Sequence, residues 1–153
     1  MIYFIIGILG VIADFVTKRL AVMHLKGGNE VILIEKIFKL SYVENRGAAF
    51  GIFQDMRYVF IVLTVLIVLF LIWLLKNQKF ENRFFKTGIT FMISGAVGNF
   101  IDRVFLGYVV DFLDFYLINF PVFNVADCFV CIGAGLLIVY YLFFDWEGKK
   151  VNE

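Results

Sequence analysis

The chain has little of what metalloproteins, redox proteins and nucleic-acid-binding proteins usually need. Its 153 residues include one histidine, two cysteines and one proline, and the formal net charge is +1. The histidine and the cysteines show no spacing typical of a metal site, and a nearly neutral chain offers no basic surface to a nucleic acid. We therefore expect no metal and no nucleic-acid partner, and we interpret His24 as an interfacial residue.

The two cysteines, Cys128 and Cys131, are spaced CxxC inside an apolar run. A redox CxxC motif is expected in a strand–turn–helix setting, which is missing here. A free cysteine otherwise behaves as a small hydrophobic residue. We therefore interpret both as small residues on a helix face.

Apolar residues are abundant, since 62% of the chain is hydrophobic and it contains 20 Phe. Soluble domains are nearer half apolar, and a helix that crosses a bilayer needs about 20 apolar residues. The first apolar segment lacks a basic start and a small-residue cleavage site, so we expect it to be a retained span and not a signal peptide. The sequence predicts an all-α polytopic membrane protein, a single domain over residues 1–153, with four transmembrane helices at about 2–23, 58–75, 87–106 and 123–144.

The basic residues of short loops indicate which side faces the cytosol. Residues 76–86 contain four Lys or Arg and the C-terminal tail adds two lysines, whereas residues 107–122 contain none. We expect both termini and the 76–86 loop in the cytosol, and the 24–57 and 107–122 segments outside. Lys18 and Arg19, at the outer end of the first span, oppose this rule, which indicates that another interaction holds them there.

The outer 24–57 segment is rich in β-branched and aromatic residues. The runs EVILI and IFKLSYV are separated by Glu35 and Lys36, a pattern that predicts two strands. We expect a small antiparallel β-sheet on the outer face of the membrane. The following GIFQDMRYVF mixes apolar and charged residues, so it predicts an interfacial helix, and residues 45–57 could close over a substrate as a lid.

Ionisable residues in membrane segments are costly and are functional candidates by default. Asp14 lies about 20 Å along the first helix at ~1.5 Å per residue, and Lys18 lies one turn further. Asp102 is about 24 Å from the cytosolic start of the third helix by the same arithmetic. Asp111 lies in the outer loop, and Asp127 opens the fourth span. These charges therefore meet in one layer near the outer interface.

Two local pairs each allow two interpretations. Asp14 and Lys18, spaced i,i+4, share a helix face; they form either a local ion pair that lowers the cost of insertion or part of a polar cavity. Asn124 and Asp127, spaced i,i+3, stand at a helix start, where a carboxylate is a favourable cap. Asp127 is either that cap or a functional acid.

The stretch GNFIDRVFLGYVVDFLDF predicts a break between two of its aspartates. Asp102 and Asp111 would lie on opposite faces of a continuous helix, and Gly107 is well placed to end that helix. Asn99 and Asp102 then share a helical face, with Arg103 able to bind carbonyls or a carboxylate. Asp111 lies in the extended part that follows.

Two aspartates at one depth, in a site with little water, suggest acid–base chemistry. Like charges close together do not both ionise easily, so one carboxyl stays protonated and the pair titrates as a unit. We expect Asp127, at a helix start, to be the ionised member and Asp111, among apolar neighbours, to be the protonated one.

At these residues the chain resembles the lipoprotein signal peptidases, or signal peptidases II. The family's motifs correspond to DFVTK at 14–18, NRGAAFG at 45–51, GNFIDR at 98–103, VVDF at 109–112 and FNVAD at 123–127. These five blocks occur in the family's order along the whole chain. The resemblance implies a bacterial inner-membrane aspartyl endopeptidase with four transmembrane helices and no cofactor, active near the outer face.

The resemblance also implies a substrate and roles for individual residues. The family removes the signal peptide of prolipoproteins just before a cysteine that carries a diacylglyceryl group. We expect a monomer that contacts membrane lipids and these substrates, with Asp114 outside the chemistry. The implied catalytic residues are Asp111 and Asp127, the implied substrate contacts are Asn45 and Arg103, and the supporting residues are Asp14, Lys18, Gly47, Asn99, Asp102 and Asn124.

Two positions depart from the family pattern: Phe15 replaces a frequent Gln, and Phe120 a frequent Trp. They affect the expected shape of the pocket and not the reaction class. Two other classes stay open from the residues alone. A proton-coupled transporter would spread its charges through the membrane depth, and a structural membrane subunit would need no aspartate pair.

Overall fold

A computed structural model of the chain describes residues 1–47, 53–76 and 82–144. Four long helices dominate it. A small sheet is formed by two strands between the first and second helices and one strand between the third and fourth. The helices are α1 (Ile2–Leu25), α2 (Arg57–Lys76), α3 (Arg83–Phe105) and α4 (Val125–Phe143), and the strands are β1 (Val31–Ile34), β2 (Phe38–Asn45) and β3 (Val109–Asp114).

Three of these helices, α2, α3 and α4, are long and apolar enough to cross a membrane. The first helix, α1, is of similar length but carries Asp14, Lys18 and Arg19. Asp14 and Lys18 are buried inside the protein, whereas many apolar side chains of α1, such as Phe4 and Ile12, are exposed. Burial of Asp14 and Lys18 therefore leaves mostly apolar side chains exposed on α1, with Arg19 as an exposed charge.

The helix bounds follow local capping signals. The third helix begins at Arg83, four residues before the expected span, because the Asn82 side chain accepts a hydrogen bond from Phe84 N at 2.8 Å. It ends at Phe105, and Gly107 follows with a φ of 86°. A glycine tolerates this left-handed conformation, so the predicted break between Asp102 and Asp111 is confirmed.

The predicted small antiparallel sheet is also confirmed, with a third strand that the sequence pattern did not indicate. The strand order is β1-β2-β3, and both pairings are antiparallel. In β3 the first four residues, Val109 to Phe112, are all buried. Such a strand has no apolar–polar alternation, so its sequence does not show the usual signal of a strand. The expected interfacial helix at 51–60 and the lid at 45–57 lie partly outside the described residues.

Glycines let α3 and α4 approach closely. A Cβ on Gly88 would lie 2.8 Å from the backbone O of Gly133, and one on Gly95 would overlap the backbone O of Ala126. Small residues at helix interfaces are typical of membrane proteins, where close backbone contact stabilises the packing. Because Ala126 precedes Asp127, the contact at Gly95 also sets the position of the start of α4.

We predict that Gly95→Ala lowers the free energy of unfolding by about 1–3 kcal/mol, because the added methyl has no space. The matched control is Gly135→Ala, since a Cβ there would meet nothing within 4 Å. The measurement is thermal unfolding of the two purified variants in the same detergent. Equal stability of the two variants would contradict the close packing of α3 on α4.

Candidate active site

A buried ammonium group lies at the centre of the polar residues. Lys18 is only 3% exposed. Its Nζ lies 2.8 Å from Asp14 Oδ2, 3.1 Å from Asp102 Oδ2 and 2.8 Å from Asn99 Oδ1. Three acceptors match the three N–H donors of an ammonium group. The buried charge is therefore both paired with carboxylates and fully hydrogen-bonded, as such a group requires.

The two carboxylates around Lys18 each bind the backbone of another element. Asp14 Oδ1 accepts a hydrogen bond from Ala126 N at 2.9 Å, in the first turn of α4. Asp102 Oδ2 accepts one from Val110 N at 3.0 Å, in β3. The Asp14–Lys18 pair is thus more than a local ion pair, because it joins α1 to α3, α4 and the strand that carries Asp111.

The carboxylate of Asp14 also leaves no space for a side chain at Gly98 in α3. A Cβ on Gly98 would lie 2.5 Å from Asp14 Oδ2. Real Cβ atoms do not approach a heavy atom so closely, so a side chain at this position would displace the carboxylate. The GNFIDR block therefore contains a glycine because a buried carboxylate from α1 packs against it.

Asp127 is both a helix cap and a member of the polar network. Its Oδ2 accepts from Asn124 N at 3.1 Å, while Asp127 N donates to Asn124 Oδ1 at 3.0 Å. This reciprocal pair is a capping box. Its Oδ1 accepts from Asn99 Nδ2 at 2.8 Å. The two interpretations of Asp127 are therefore compatible, because capping uses one oxygen and the network uses the other.

Asp111 is 2% exposed and lies close to Asp127 through a shared asparagine. Its Oδ1 accepts from Asn124 Nδ2 at 2.6 Å, and its Oδ2 accepts from Asn45 Nδ2 at 2.8 Å. Burial raises the pKa of the Asp111 carboxyl to about 7; the two amide donors oppose this rise, and the charge of Asp127 adds to it. The desolvation of a charged carboxylate outweighs its hydrogen bonds here.

Arg103 contacts the backbone of two site residues and an aromatic ring of α2. Its Nη2 donates to the backbone O of Gly47 at 3.2 Å, and Nη1 reaches the backbone O of Asn99 at 3.5 Å. The guanidinium carbon is 4.8 Å from the ring centroid of Phe60. A planar cation packed on an aromatic ring keeps a fixed orientation, so α2 helps to hold Arg103.

A cavity of about 380 Å³ contains both aspartates on its wall. Its lining includes Asn45 at the end of β2, the nearby Gly47, Asn99 and Arg103 of α3, and Cys128 and Cys131 of α4. The segment before α4, residues 120–123, forms the rest of the rim. Among residues 1–47, 53–76 and 82–144, no cluster of His, Cys, Asp and Glu could hold a metal ion.

The structure brings together every site residue named from the sequence. All ten belong to one hydrogen-bonded network that extends from Ala126 N to the Gly47 backbone. Asp114 lies apart and bonds to Ser41 and Lys39 instead.

Sequence reasoning missed Phe60, for which the chain gives no local signal, and the position of the two cysteines. The i,i+4 spacing of Asp127 and Cys131 and the i,i+3 spacing of Cys128 and Cys131 could have shown that they line one side of the helix.

The comparisons with known proteins agree with this site. The sequence model described as "Signal peptidase (SPase) II" matches residues 6–143. The chain belongs to the signal peptidase II family. A lipoprotein signal peptidase of Clostridioides difficile is 43% identical over 149 residues, covering 97% of this chain and all of that protein. One from Halalkalibacterium halodurans is 36% identical over 152 residues, covering 98% and 97% of the two chains.

Two solved structures of bacterial membrane enzymes have a similar fold. A bacterial membrane enzyme that is 34% identical superposes with a TM-score of 0.86, over 92% of this chain and 87% of the other. A second bacterial membrane enzyme, also 34% identical, gives a TM-score of 0.83 over 94% and 93%. The chain is therefore a bacterial membrane protein and a peptidase of the aspartic class. The transporter alternative finds no support in these comparisons.

We predict that Lys18→Met lowers the free energy of unfolding by about 3–5 kcal/mol, because it leaves buried carboxylates without their cation. The control is Lys26→Met. Lys26 pairs with Glu44 at 3.3 Å, but its side chain is half exposed, so the loss there should stay below about 1 kcal/mol. Thermal unfolding in detergent compares the two. Equal losses would contradict the central role of the buried ammonium group.

Proposed function

We propose that this signal peptidase II removes the signal peptide from bacterial prolipoproteins, cutting just before the cysteine that carries a diacylglyceryl group. The observation that carries this proposal is the shared cavity of Asp111 and Asp127, joined by Asn124. Names of the curated relatives, which are lipoprotein signal peptidases, support the substrate class.

The proposed reaction uses the two carboxyls in different protonation states. Asp127 is ionised, since it accepts hydrogen bonds at both oxygens and stands in the first turn of α4. Asp111 is the acid, since its pKa, raised to about 7, leaves about half of the carboxyl protonated at neutral pH and more below it. Carboxyls whose environments separate their protonation states are suited to act as base and acid.

The proposed hydrolysis has two steps, formation and collapse of a gem-diol. Asp127 takes a proton from water as the water oxygen attacks the scissile carbonyl carbon, and Asp111 gives its proton to the carbonyl oxygen. The resulting gem-diol collapses when Asp127 gives the proton it took to the leaving nitrogen and Asp111 recovers one from a gem-diol hydroxyl. The dyad returns to its initial state, with a new carboxyl on one product and a new amine on the other.

Asn45 and Arg103 are proposed to hold the peptide backbone of the substrate. Both line the cavity, and the guanidinium of Arg103 has donors suited to carbonyl oxygens. Arg103 is already oriented by Phe60 and by the Gly47 backbone. Asp14, Lys18, Gly47, Asn99, Asp102 and Asn124 are proposed to support the site, because each bonds to a neighbour of the dyad or to the dyad itself.

We further propose that α1 is the fourth transmembrane helix. The burial of Asp14 and Lys18 supports this, because it leaves a mostly apolar surface toward lipid, with Arg19 exposed near the outer end of the helix. The positive-inside rule then places both termini and the basic 76–86 segment in the cytosol, and the sheet and the dyad at the outer face. All four side chains of β1, Val31 to Ile34, are exposed, which suits a strand that lies against the membrane surface. A monomer in contact with lipids is sufficient for this arrangement.

We predict that Asp111→Asn and Asp127→Asn each lower the cleavage rate by about 10³-fold, because each removes a proton carrier. The measurement is cleavage of a diacylglyceryl-modified prolipoprotein by each purified variant. The matched control is Asp114→Asn, three residues from Asp111 in the same strand, which should retain most activity. Near wild-type cleavage by either dyad variant, or loss in Asp114→Asn like that in Asp111→Asn, would overturn the assignment.

We predict that kcat/KM falls as the pH rises through about 7, because Asp111 then loses the proton that it must donate. Because the pKa of Asp111 is raised, its acid form persists to a higher pH than that of an ordinary carboxyl, and activity is lost on the alkaline side. Above that value the fall should be about tenfold per pH unit. Activity that stays constant or rises between neutral and alkaline pH would contradict the proposed role of Asp111.

A further inference from the structure

Cys128 and Cys131 are placed where the chemistry described so far does not use them. Both lie on α4 and both line the cavity that contains the aspartates. Cys131 is spaced i,i+4 from Asp127 and i,i+3 from Cys128, so the three side chains line one side of the helix. Cys131 is exposed, and it therefore marks the rim where the cavity opens beside α4.

The depth of this rim matters for a lipid-modified substrate. One helical turn rises about 5.4 Å, so Cys131 lies roughly that far below Asp127 toward the membrane centre if α4 spans as proposed. A diacylglyceryl group is attached to the cysteine side chain and is only a few bonds from the scissile peptide bond. When the scissile peptide bond lies at Asp111 and Asp127, the acyl chains must leave the cavity within about one turn of α4 from these aspartates.

We propose that the α4 wall formed by Cys128 and Cys131 contacts the diacylglyceryl group of the substrate, and that the side-chain size at position 131 determines which lipid-modified substrates enter. This inference rests on the proposed function. Small, apolar thiols suit this place, because they leave room for acyl chains without adding a polar group that lipid would leave unsatisfied. Asp111, Asp127 and Phe120 line the same cavity as this wall.

The first test is Cys131→Trp, compared with Ile132→Trp. Ile132 is the next residue of the same helix and is exposed, but it does not line the cavity. For a long-chain diacylglyceryl prolipoprotein we expect Cys131→Trp to lower kcat/KM by about tenfold or more, mainly through KM. Ile132→Trp should remain near wild type. Cleavage by Cys131→Trp at the wild-type kcat/KM would overturn the proposal.

Acyl-chain length separates contact with lipid from a general disturbance of the fold. Shortening the acyl chains of the substrate should reduce the defect of Cys131→Trp, because less lipid must pass the wall. A defect of the same size for short and long chains would contradict lipid contact. If the wild-type protein cleaves neither substrate, the proposed function fails; if it cleaves both and the variant shows no chain-length dependence, only this inference fails.

A second measurement does not depend on turnover. In the Asp111→Asn variant, which should bind substrate without cutting it, Cys128→Ser leaves Cys131 as the one thiol of the chain. Its rate of alkylation by a membrane-permeant maleimide, followed by mass spectrometry, should fall when diacylglyceryl prolipoprotein is added. The same prolipoprotein without lipid should protect much less. Equal protection by both forms, or none by either, would contradict the proposal.

Discussion

The structure depends on one buried cation. Lys18 is placed inside a helix bundle, where an ammonium without partners would be very costly, and its three donors each reach a different residue. Each partner then binds a further element: Asp14 the start of α4, Asp102 strand β3, and Asn99 the carboxylate of Asp127. The positions of Asp111 and Asp127, the proposed catalytic pair, therefore follow from the requirement to satisfy a single charge.

The same requirement orients the amides around the dyad. Lys18 only donates, so Asn99 must present its oxygen to the cation and its nitrogen to Asp127. Asn124 uses its oxygen to cap α4, which turns its nitrogen toward Asp111, and Asn45 is held the same way by Gly47 N at 3.0 Å. Asp111 thus receives two amide donors and is still buried deeply enough to have a raised pKa. A hydrogen-bonded shell of this kind fixes the positions of the proposed acid and base before the substrate binds.

Much of this could be predicted from local sequence patterns. Apolar runs indicated the helices, β-branched runs indicated β1 and β2, and Gly107 indicated the end of α3. The resemblance to a family named all ten site residues. The features that could not be predicted depend on contacts between residues that are distant in the sequence. Strand β3 is buried along most of its length and lacks alternation. The charges of α1 lower its apolar character, although Asp14 and Lys18 are buried, and the partners of Lys18 are up to 84 residues away in the sequence.

The central claim is that Asp111 holds a proton near neutral pH beside an ionised Asp127. The most direct measurement is the titration of the Asp111 carboxyl by carbon NMR of the protein labelled at aspartate carboxyls, in micelles, with assignment from Asp111→Asn. The account predicts a midpoint near pH 7 in the wild-type protein, and a lower midpoint in Asp127→Asn, since the neighbouring charge is gone. An Asp111 carboxyl that titrates at its ordinary value of about 4 in the folded protein would contradict the account.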